Sequence, residues 1–348
     1  MKTIVILSAL EKERQALLIH LHDHKVEKHP QTGTDYYVGR LNINNTFFKL
    51  VLGKTDQTNV NAAVETERAI NHYSPSLILF VGVAGGLKDV KVGDIVIGQD
   101  VYGYERGKAD VEKKVKKNIQ VYKPRAKFGA SSYALERAAS NYSNSEAWKI
   151  ISTPIVNKEF HNKINVVTGT IAAGEKVNAS LDSDLSKFLK QHCSHALAIE
   201  MEGLGFLESC RAYPQIQSLL IRSISDLVTN KTDSDEKGSQ EYASKTAAAF
   251  TFGFLETLHI KTEFPDKNIL LDILCKLYPE GLKDNRIWTR AGGDLSRLNI
   301  HGSGFVQWFD AVELIENGGA GNVEFQSLID TIKSDFPKNE FLKNLVIP

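Results

Sequence analysis

The stretch that decides the reading is Ala198-Ile199-Glu200-Met201-Glu202-Gly203. An apolar run ends here in two carboxylates separated by one methionine. In extended chain, positions i and i+2 point to the same side. Glu200 and Glu202 can therefore share one face with Met201 on the other, or a turn can spread all three around a ligand. A helical pattern of Leu204, Phe206, Leu207 and Cys210 begins at once. Two more apolar strands end in the same way. Leu219-Leu220-Ile221-Arg222-Ser223-Ile224-Ser225-Asp226 closes on Ser and Asp, and Ile4-Val5-Ile6-Leu7 leads into Ser8-Ala9-Leu10-Glu11-Lys12-Glu13. A solvated strand end is the plain reading of any one of them. Open parallel sheets, however, bind ligands outside the carboxyl ends of their strands, and three such ends point to one site.

The surrounding chain fits that picture. Buried-type strands are expected at 3–7, 77–81, 94–101, 163–170, 198–202 and 217–225. Helices are expected at 12–21, 60–73, 131–141, 181–193 and 241–260. A hairpin turn is read at Asn44-Asn45, between strands 35–40 and 46–52. The run Gly82-Val83-Ala84-Gly85-Gly86 reads as a tight turn, or as glycines that let backbone N–H groups approach a ligand. Residues 228–240 are polar and read as a loop beside the site. Strands alternating with helices indicate an α/β sandwich with a largely parallel or mixed sheet. At Pro265 the alternation stops. Five short helices follow, at 268–278, 282–291, 304–317, 324–336 and 339–346, separated by Gly and Pro. They make a small all-α domain holding 12 Asp/Glu against 9 Lys/Arg and two of the three tryptophans, Trp288 and Trp308.

Composition excludes several classes of function. Lys+Arg and Asp+Glu both number 42, so no global field attracts a nucleic acid polymer or a membrane. No apolar stretch is long enough to span a bilayer. No signal-peptide pattern opens the chain, so a cytoplasmic setting with reduced Cys193, Cys210 and Cys275 is expected. His192, Cys193 and His195 read as surface residues at a helix end. His20, His22 and His24 have no second ligand cluster, so no metal and no cofactor are expected.

Five segments occur in an order and at spacings that resemble one family. They are Ala9-Leu10-Glu11-Lys12-Glu13, Gly82-Val83-Ala84-Gly85-Gly86-Leu87, Val92-Gly93-Asp94-Ile95-Val96, Ala198-Ile199-Glu200-Met201-Glu202 and Arg222-Ser223-Ile224-Ser225-Asp226. Residues 1–262 resemble the nucleoside phosphorylase and nucleosidase superfamily, most of all its methylthioadenosine/adenosylhomocysteine nucleosidases. The resemblance implies a three-layer α/β/α nucleoside phosphorylase-like domain, a purine nucleoside or nucleotide as substrate, and a homodimer or higher homo-oligomer. It also implies roles. Asp226 protonates the leaving base, its carboxyl raised by an apolar pocket. Glu13 is the general base for water, and Glu202 accepts the ribose hydroxyls. Met201 lies under the ribose. Val83, Ala84, Gly85, Ile171, Lys176, Glu200, Arg222 and Ser225 border the substrate. A structural Arg–Glu pair is the plain alternative for Glu200 and Arg222. Val83 stands where many relatives carry a small hydroxyl residue, which removes an anion contact and favours hydrolysis over phosphorolysis.

Residues 105–127 hold nine Lys/Arg. They read as a solvated loop or short basic helix, or as a positive rim in which Arg106, Lys123 and Arg125 attract a substrate's phosphates. Residues 266–348 resemble the first type of effector-associated domain, a death-fold-like adaptor of bacterial conflict systems. Leu270-Leu271-Asp272, Leu277-Tyr278-Pro279 and the helix at 305–314 carry that likeness. The fusion implies a nucleosidase effector acting on an adenine nucleotide such as ATP in antiphage defence, with a protein partner on the helical domain. The alternatives are a housekeeping methylthioadenosine/adenosylhomocysteine nucleosidase, a purine nucleoside phosphorylase and a catalytically silent nucleotide sensor.

Overall fold

The computed structural model describes residues 2–43, 46–114, 117–160, 163–178, 180, 182–228, 238–258, 267–339 and 342. The expected turn at Asn44-Asn45, most of the polar loop at 228–240, the break around Pro265 and most of the helix expected at 339–346 lie outside these residues. The chain divides into two units. The larger is formed by residues 2–43 and 48–258, and the C-terminal residues from 259 onward belong to the smaller.

The larger unit is built on a ten-stranded mixed sheet. Its centre is a set of continuous apolar strands: β1 (Thr3–Ser8), β5 (Leu77–Gly86), β6 (Ile95–Gly103) and β12 (Gln217–Asp226). Such runs suit strands covered on both faces. β1 pairs in parallel with β5, and β5 with β12, so these strand ends finish at the same edge. β4 (Thr46–Lys54) joins β1 in parallel, and β3 (Asp35–Ile43) and β2 (Lys25–Lys28) extend that side. On the other side β10 (Val166–Ala173) pairs in parallel with β6 and with β11 (Ala198–Glu200). β11 also pairs antiparallel with the end of β5, through Ala198–Gly86 and Ile199–Gly85, which bends the sheet back on itself.

The helices fall into two groups. On one side α1 (Glu11–Leu18), α3 (Tyr133–Ser143) and α4 (Glu146–Ile155) pack on α7 (Ser239–Thr257), which lies along β12 and β5. On the other, α2 (Asn59–Tyr73) packs on α6 (Gly203–Cys210). The remaining helix, α5 (Asp184–His192), precedes β11. α2 and α6 run side by side in the same direction. Gly205 N–H donates to Asn59 Oδ1, Ser209 Oγ to Ala63 O and Tyr213 to Glu67, each pair 146 apart in sequence. Gly205 permits this approach, since a Cβ there would overlap the Asn59 backbone.

Several local expectations are corrected. The glycine run at 82–86 is not a turn but the end of β5, because its backbone pairs with β12 and β11. Most of the described residues of 105–127 are in strands, not in a loop or a helix. They hold a two-stranded antiparallel ribbon, β7 (Gly107–Lys114) and β8 (Lys117–Pro124), followed by β9 (Lys127–Ala130) on β6. The β-branched and aromatic residues among the lysines favour strands. α4 was not expected from the sequence, where Pro154 obscures its pattern, although Pro154 sits in the last turn and Ser145 caps the start through the Trp148 N–H.

The smaller unit has its own core of Leu270, Leu274, Trp288, Trp308, Val312, Leu328 and Ile332. Its helices are α8 (Lys267–Leu277), α9 (Ile287–Arg290), α10 (Gly304–Glu316) and α11 (Phe325–Asp335). The helix expected at 282–291 is a 3-10 turn, Asp284–Arg286, before α9, because Asn285 and Arg286 take positive φ. Arg290 binds Asp335 through two nitrogens, at 2.8 and 2.6 Å, and Tyr278 Oη donates to the same carboxylate at 2.6 Å. Arg290 lowers the Asp335 pKa to about 2.

Gly205→Ala is predicted to destabilise the larger unit by about 1–3 kcal/mol, the usual cost of overpacking. Chemical denaturation should show a lower midpoint, and an unchanged one would mean the α2–α6 contact yields without cost.

Candidate active site

The strand ends deliver their carboxylates to one cleft. Its walls include Leu10 and Glu13 after β1, Val83, Ala84 and Gly85 on β5, Glu200, Met201 and Glu202 after β11, and Ser225 and Asp226 at the end of β12. Lys176, Val177 and Asn178 form a further wall after β10. Glu200, Met201 and Glu202 all reach the cleft because the strand stops at Glu200 and the chain turns into α6. Of the residues expected at the substrate, Ile171 is not on the wall. It is wholly buried in the sheet core. Arg222 lies behind the wall, also wholly buried.

Arg222 is the hub. Its Nη2 donates to Glu200 Oε2 at 2.6 Å and to Glu202 Oε2 at 3.3 Å, and its Cζ lies 4.6 Å from the centre of the Phe80 ring. Its Nε and Nη1 have no hydrogen-bond partner among the described residues. A Cβ on Gly82 would overlap both Glu13 Oε1 and Arg222 Nη1, so glycine there leaves room for both side chains.

Each carboxylate is held by backbone donors. Glu13, in the first turn of α1, accepts from Ala9 N–H (2.9 Å) and Leu10 N–H (2.8 Å) on Oε2, and from Val83 N–H (2.8 Å) on Oε1. The reach back to Leu10 is half of a capping box. Glu200 accepts from Glu202 N–H at 3.0 Å and from Gly203 N–H at 2.8 Å. Glu202 accepts from Thr58 N–H at 3.2 Å. Thr58 has a φ of 94°, a conformation that costs a non-glycine residue of order 1–3 kcal/mol. Asp226 accepts from Val228 N–H on Oδ1 and from Ser225 Oγ on Oδ2, both at 3.0 Å. Val228 is buried with a φ of 59°, also unusual for a β-branched residue. Ser225 Oγ lies 3.4 Å from Ala84 O as well.

One guanidinium thus faces three buried carboxyls. Burial raises the pKa of Glu13, and Arg222 opposes the rise. Burial and then the Glu200 carboxylate raise Glu202, again against Arg222. Burial works against the charge of Arg222, but Glu200, Glu202 and Glu13 outweigh it.

The basic residues expected at a phosphate divide. Lys176 lines the cleft, with its Nζ 3.1 Å from Glu105 Oε1. Arg106, Lys123 and Arg125 are not on the wall. Arg106 and Arg125 flank the β7–β8 ribbon, and Lys123 lies within β8, where its Nζ donates to Asp110 at 2.9 Å. Sequence reasoning missed Thr58 and Asn59, which reach the site only through tertiary hydrogen bonds. It also missed Gln57, Asn178 and Gln240, which line the cleft. Among the described residues no group of three or more His, Cys, Asp or Glu is placed to hold a metal ion, and no helix is long and apolar enough to cross a membrane.

A mixed sheet with carboxylates gathered at its strand ends, between two groups of helices, defines a nucleoside phosphorylase-like α/β domain. Residues 3–258 match the model of the Phosphorylase superfamily, and the chain belongs to that superfamily. Residues 262–347 match Effector-associated domain 1. The chain is 26% identical over 257 residues to a 5′-methylthioadenosine/S-adenosylhomocysteine nucleosidase of Staphylococcus haemolyticus, covering 73% of this chain and 100% of the relative. It is 27% identical over 271 residues to the nucleosidase of that name from Buchnera aphidicola, covering 77% and 94%. The crystal structure of the Neisseria meningitidis nucleosidase with methylthio-immucillin-A superposes with a TM-score of 0.57 at 23% identity, covering 74% of this chain and all of that one. Futalosine hydrolase of Helicobacter pylori shares the fold at a TM-score of 0.56 and 20% identity, covering 74% and 98%.

Arg222→Met is predicted to destabilise the larger unit by about 3–5 kcal/mol, because it leaves buried carboxyls without their cation. Thermal unfolding should show a large drop. A loss below about 1 kcal/mol, the scale of a surface pair, would mean the cluster is not held by this charge.

Proposed function

We propose that this chain is a purine N-ribosyl hydrolase that frees adenine from an adenine nucleoside or nucleotide. The observation that carries the reading is the gathering of Glu13, Glu202 and Asp226 on one cleft, with Arg222 behind it bonded to Glu202. Breaking the bond between the anomeric carbon and the base leaves the sugar cation-like. Fixed negative charge beside it lowers that barrier. Glu202 accepts the ribose hydroxyls, and Met201 lies under the ring. A water held by Glu13 attacks the anomeric carbon. Its proton passes to Glu13, while a proton carried by Asp226 passes to the five-membered ring of the leaving base. Ser225 Oγ, donating to Asp226 Oδ2 at 3.0 Å, fixes the orientation of that carboxyl. The nucleosidase relatives support the same reaction.

The cluster also supports water over phosphate as the nucleophile, because Glu13, Glu200 and Glu202 repel an anion. A 5′-phosphate or triphosphate, as in ATP, is the finer reading. Lys176 supports it as the one lysine or arginine on the described wall of the cleft. The match to Effector-associated domain 1 supports an effector role in bacterial antiphage defence, with the helical unit binding a matching domain on a partner.

Asp226→Asn and Glu13→Gln should each lower adenine release by ~10²–10⁴-fold, and wild-type release should proceed fully without phosphate. Strict phosphate dependence would make the protein a phosphorylase. The pH profile follows from the raised carboxyls. Glu13 and Glu202 must be ionised, so kcat/KM should fall with decreasing pH well above the 4.5 of an ordinary glutamate. An acid limb at or below 4.5 would refute that assignment. Lys176→Ala should raise KM for AMP and ATP but hardly change that for methylthioadenosine, with nucleotide KM rising with salt. Equal effects on both would point to an uncharged substrate.

A further inference from the structure

Glu202 occupies an awkward position for a residue that must face a ligand. It is the N-cap of α6, and its side chain makes no capping bond to that helix. A carboxylate at an N-cap ordinarily folds back onto the N–H groups one turn ahead, which otherwise lack partners. Here two of those donors are taken by other residues. Gly203 N–H donates to Glu200, and Gly205 N–H, the usual target of an N-cap side chain, donates to Asn59 Oδ1 at 3.0 Å.

Asn59 comes from the start of α2, far from α6 in sequence. Its Nδ2 donates to Gly174 O at 3.2 Å, and its backbone N–H to Glu175 Oε1 at 3.2 Å, so it also ties down the segment that leads into the wall at Lys176. Its chain neighbour Thr58 supplies the N–H that Glu202 Oε1 accepts. The parallel packing of α2 on α6 brings these donors and acceptors together.

Resting on the hydrolase reading above, we propose that Asn59 is a positioning residue for the reaction: it caps α6 from outside and so leaves Glu202 aimed at the substrate. Without the Asn59 oxygen, the Gly205 N–H becomes a further unmet donor within the first turn of α6 for Glu202, and the carboxylate turns away from the ribose. The Glu202 side chain is faced by Arg222 from β12, by Glu200 from the end of β11 and by Glu13 from α1, so its place is set by a balance that one lost bond can tip.

The test is a double-mutant cycle on the full chain, read as kcat for adenine release from adenosine, methylthioadenosine, AMP and ATP, beside the thermal midpoint. Asn59→Ala should lower kcat by ~10- to 100-fold, the cost of a misplaced catalytic group. Asn59→Asp keeps the acceptor for Gly205 N–H, although it gives up the bond to Gly174 O, and should stay within a few-fold of wild type. Glu202→Gln should abolish the effect of Asn59→Ala, because the two then share one cause. Full multiplication of the two losses would make Asn59 a structural residue and overturn the proposal. So would wild-type kcat in Asn59→Ala, or a loss in Asn59→Asp as deep as that in Asn59→Ala. Where Asn59→Ala does not fold, Asn59→Asp decides alone, since low activity in it overturns the proposal. A wild-type protein that frees no adenine from any of the four compounds overturns the hydrolase reading, and the positioning role falls with it. An active wild type with an indifferent Asn59 overturns the positioning role only.

Discussion

The larger unit is arranged around one buried cation. Arg222 is wholly enclosed and balances Glu13, Glu200 and Glu202 from behind the cleft. A buried ion pair returns its desolvation cost only with good geometry and further hydrogen bonds. Those bonds come from Val83 on β5 and from three helix beginnings. α1 offers the N–H groups of Ala9 and Leu10, α2 that of Thr58, and α6 those of Glu202 and Gly203. Each helix start carries a partial positive charge, which adds to Arg222 against the excess of carboxylates. The fold can hold so much negative charge in one place because strands and helices both end there.

Much of this was legible in the sequence. Glu13, Glu200, Glu202 and Asp226 stand just after apolar runs, and a parallel sheet must bring such ends to one edge. The supporting half was not legible. Thr58 and Asn59 follow a polar loop with no periodicity, and they act through bonds to residues more than a hundred positions away. The glycines at 82–86 looked like a turn because glycine is commonest there. At Gly82 the requirement is instead room for Glu13 and Arg222. The ribbon at 107–124 was hidden by its lysines. Charge describes how a segment meets solvent and says little about its backbone, which two antiparallel strands satisfy by pairing.

The two units differ in how they are stabilised. The larger buries a continuous sheet and gathers four buried carboxyls, Glu13, Glu200, Glu202 and Asp226, at the cleft. The smaller relies on short helices around Trp288 and Trp308, whose large apolar surfaces suit a core of this size. Its polar anchor is Asp335, which gathers Arg290, Tyr278 and Asn285. That cluster joins the end of α11 to the turn before α9, so it serves to close a helical bundle.

The strain at Thr58 and Val228 belongs to the same logic as the buried charge. Both residues hold backbone conformations that an unrestrained chain avoids, and both donate an N–H to a carboxylate of the cleft. A relaxed backbone at either place would turn that N–H elsewhere. Glu202 and Asp226 would then lose a fixed partner and gain freedom at the point where a reaction needs them still. Rigid donors, set before any ligand arrives, let carboxylates stabilise a developing charge without reorganising. The energy held in the two strained residues is supplied by the packing of α2 on α6 and by the pairing of β12 with β5, the same contacts that bring the three strand ends together.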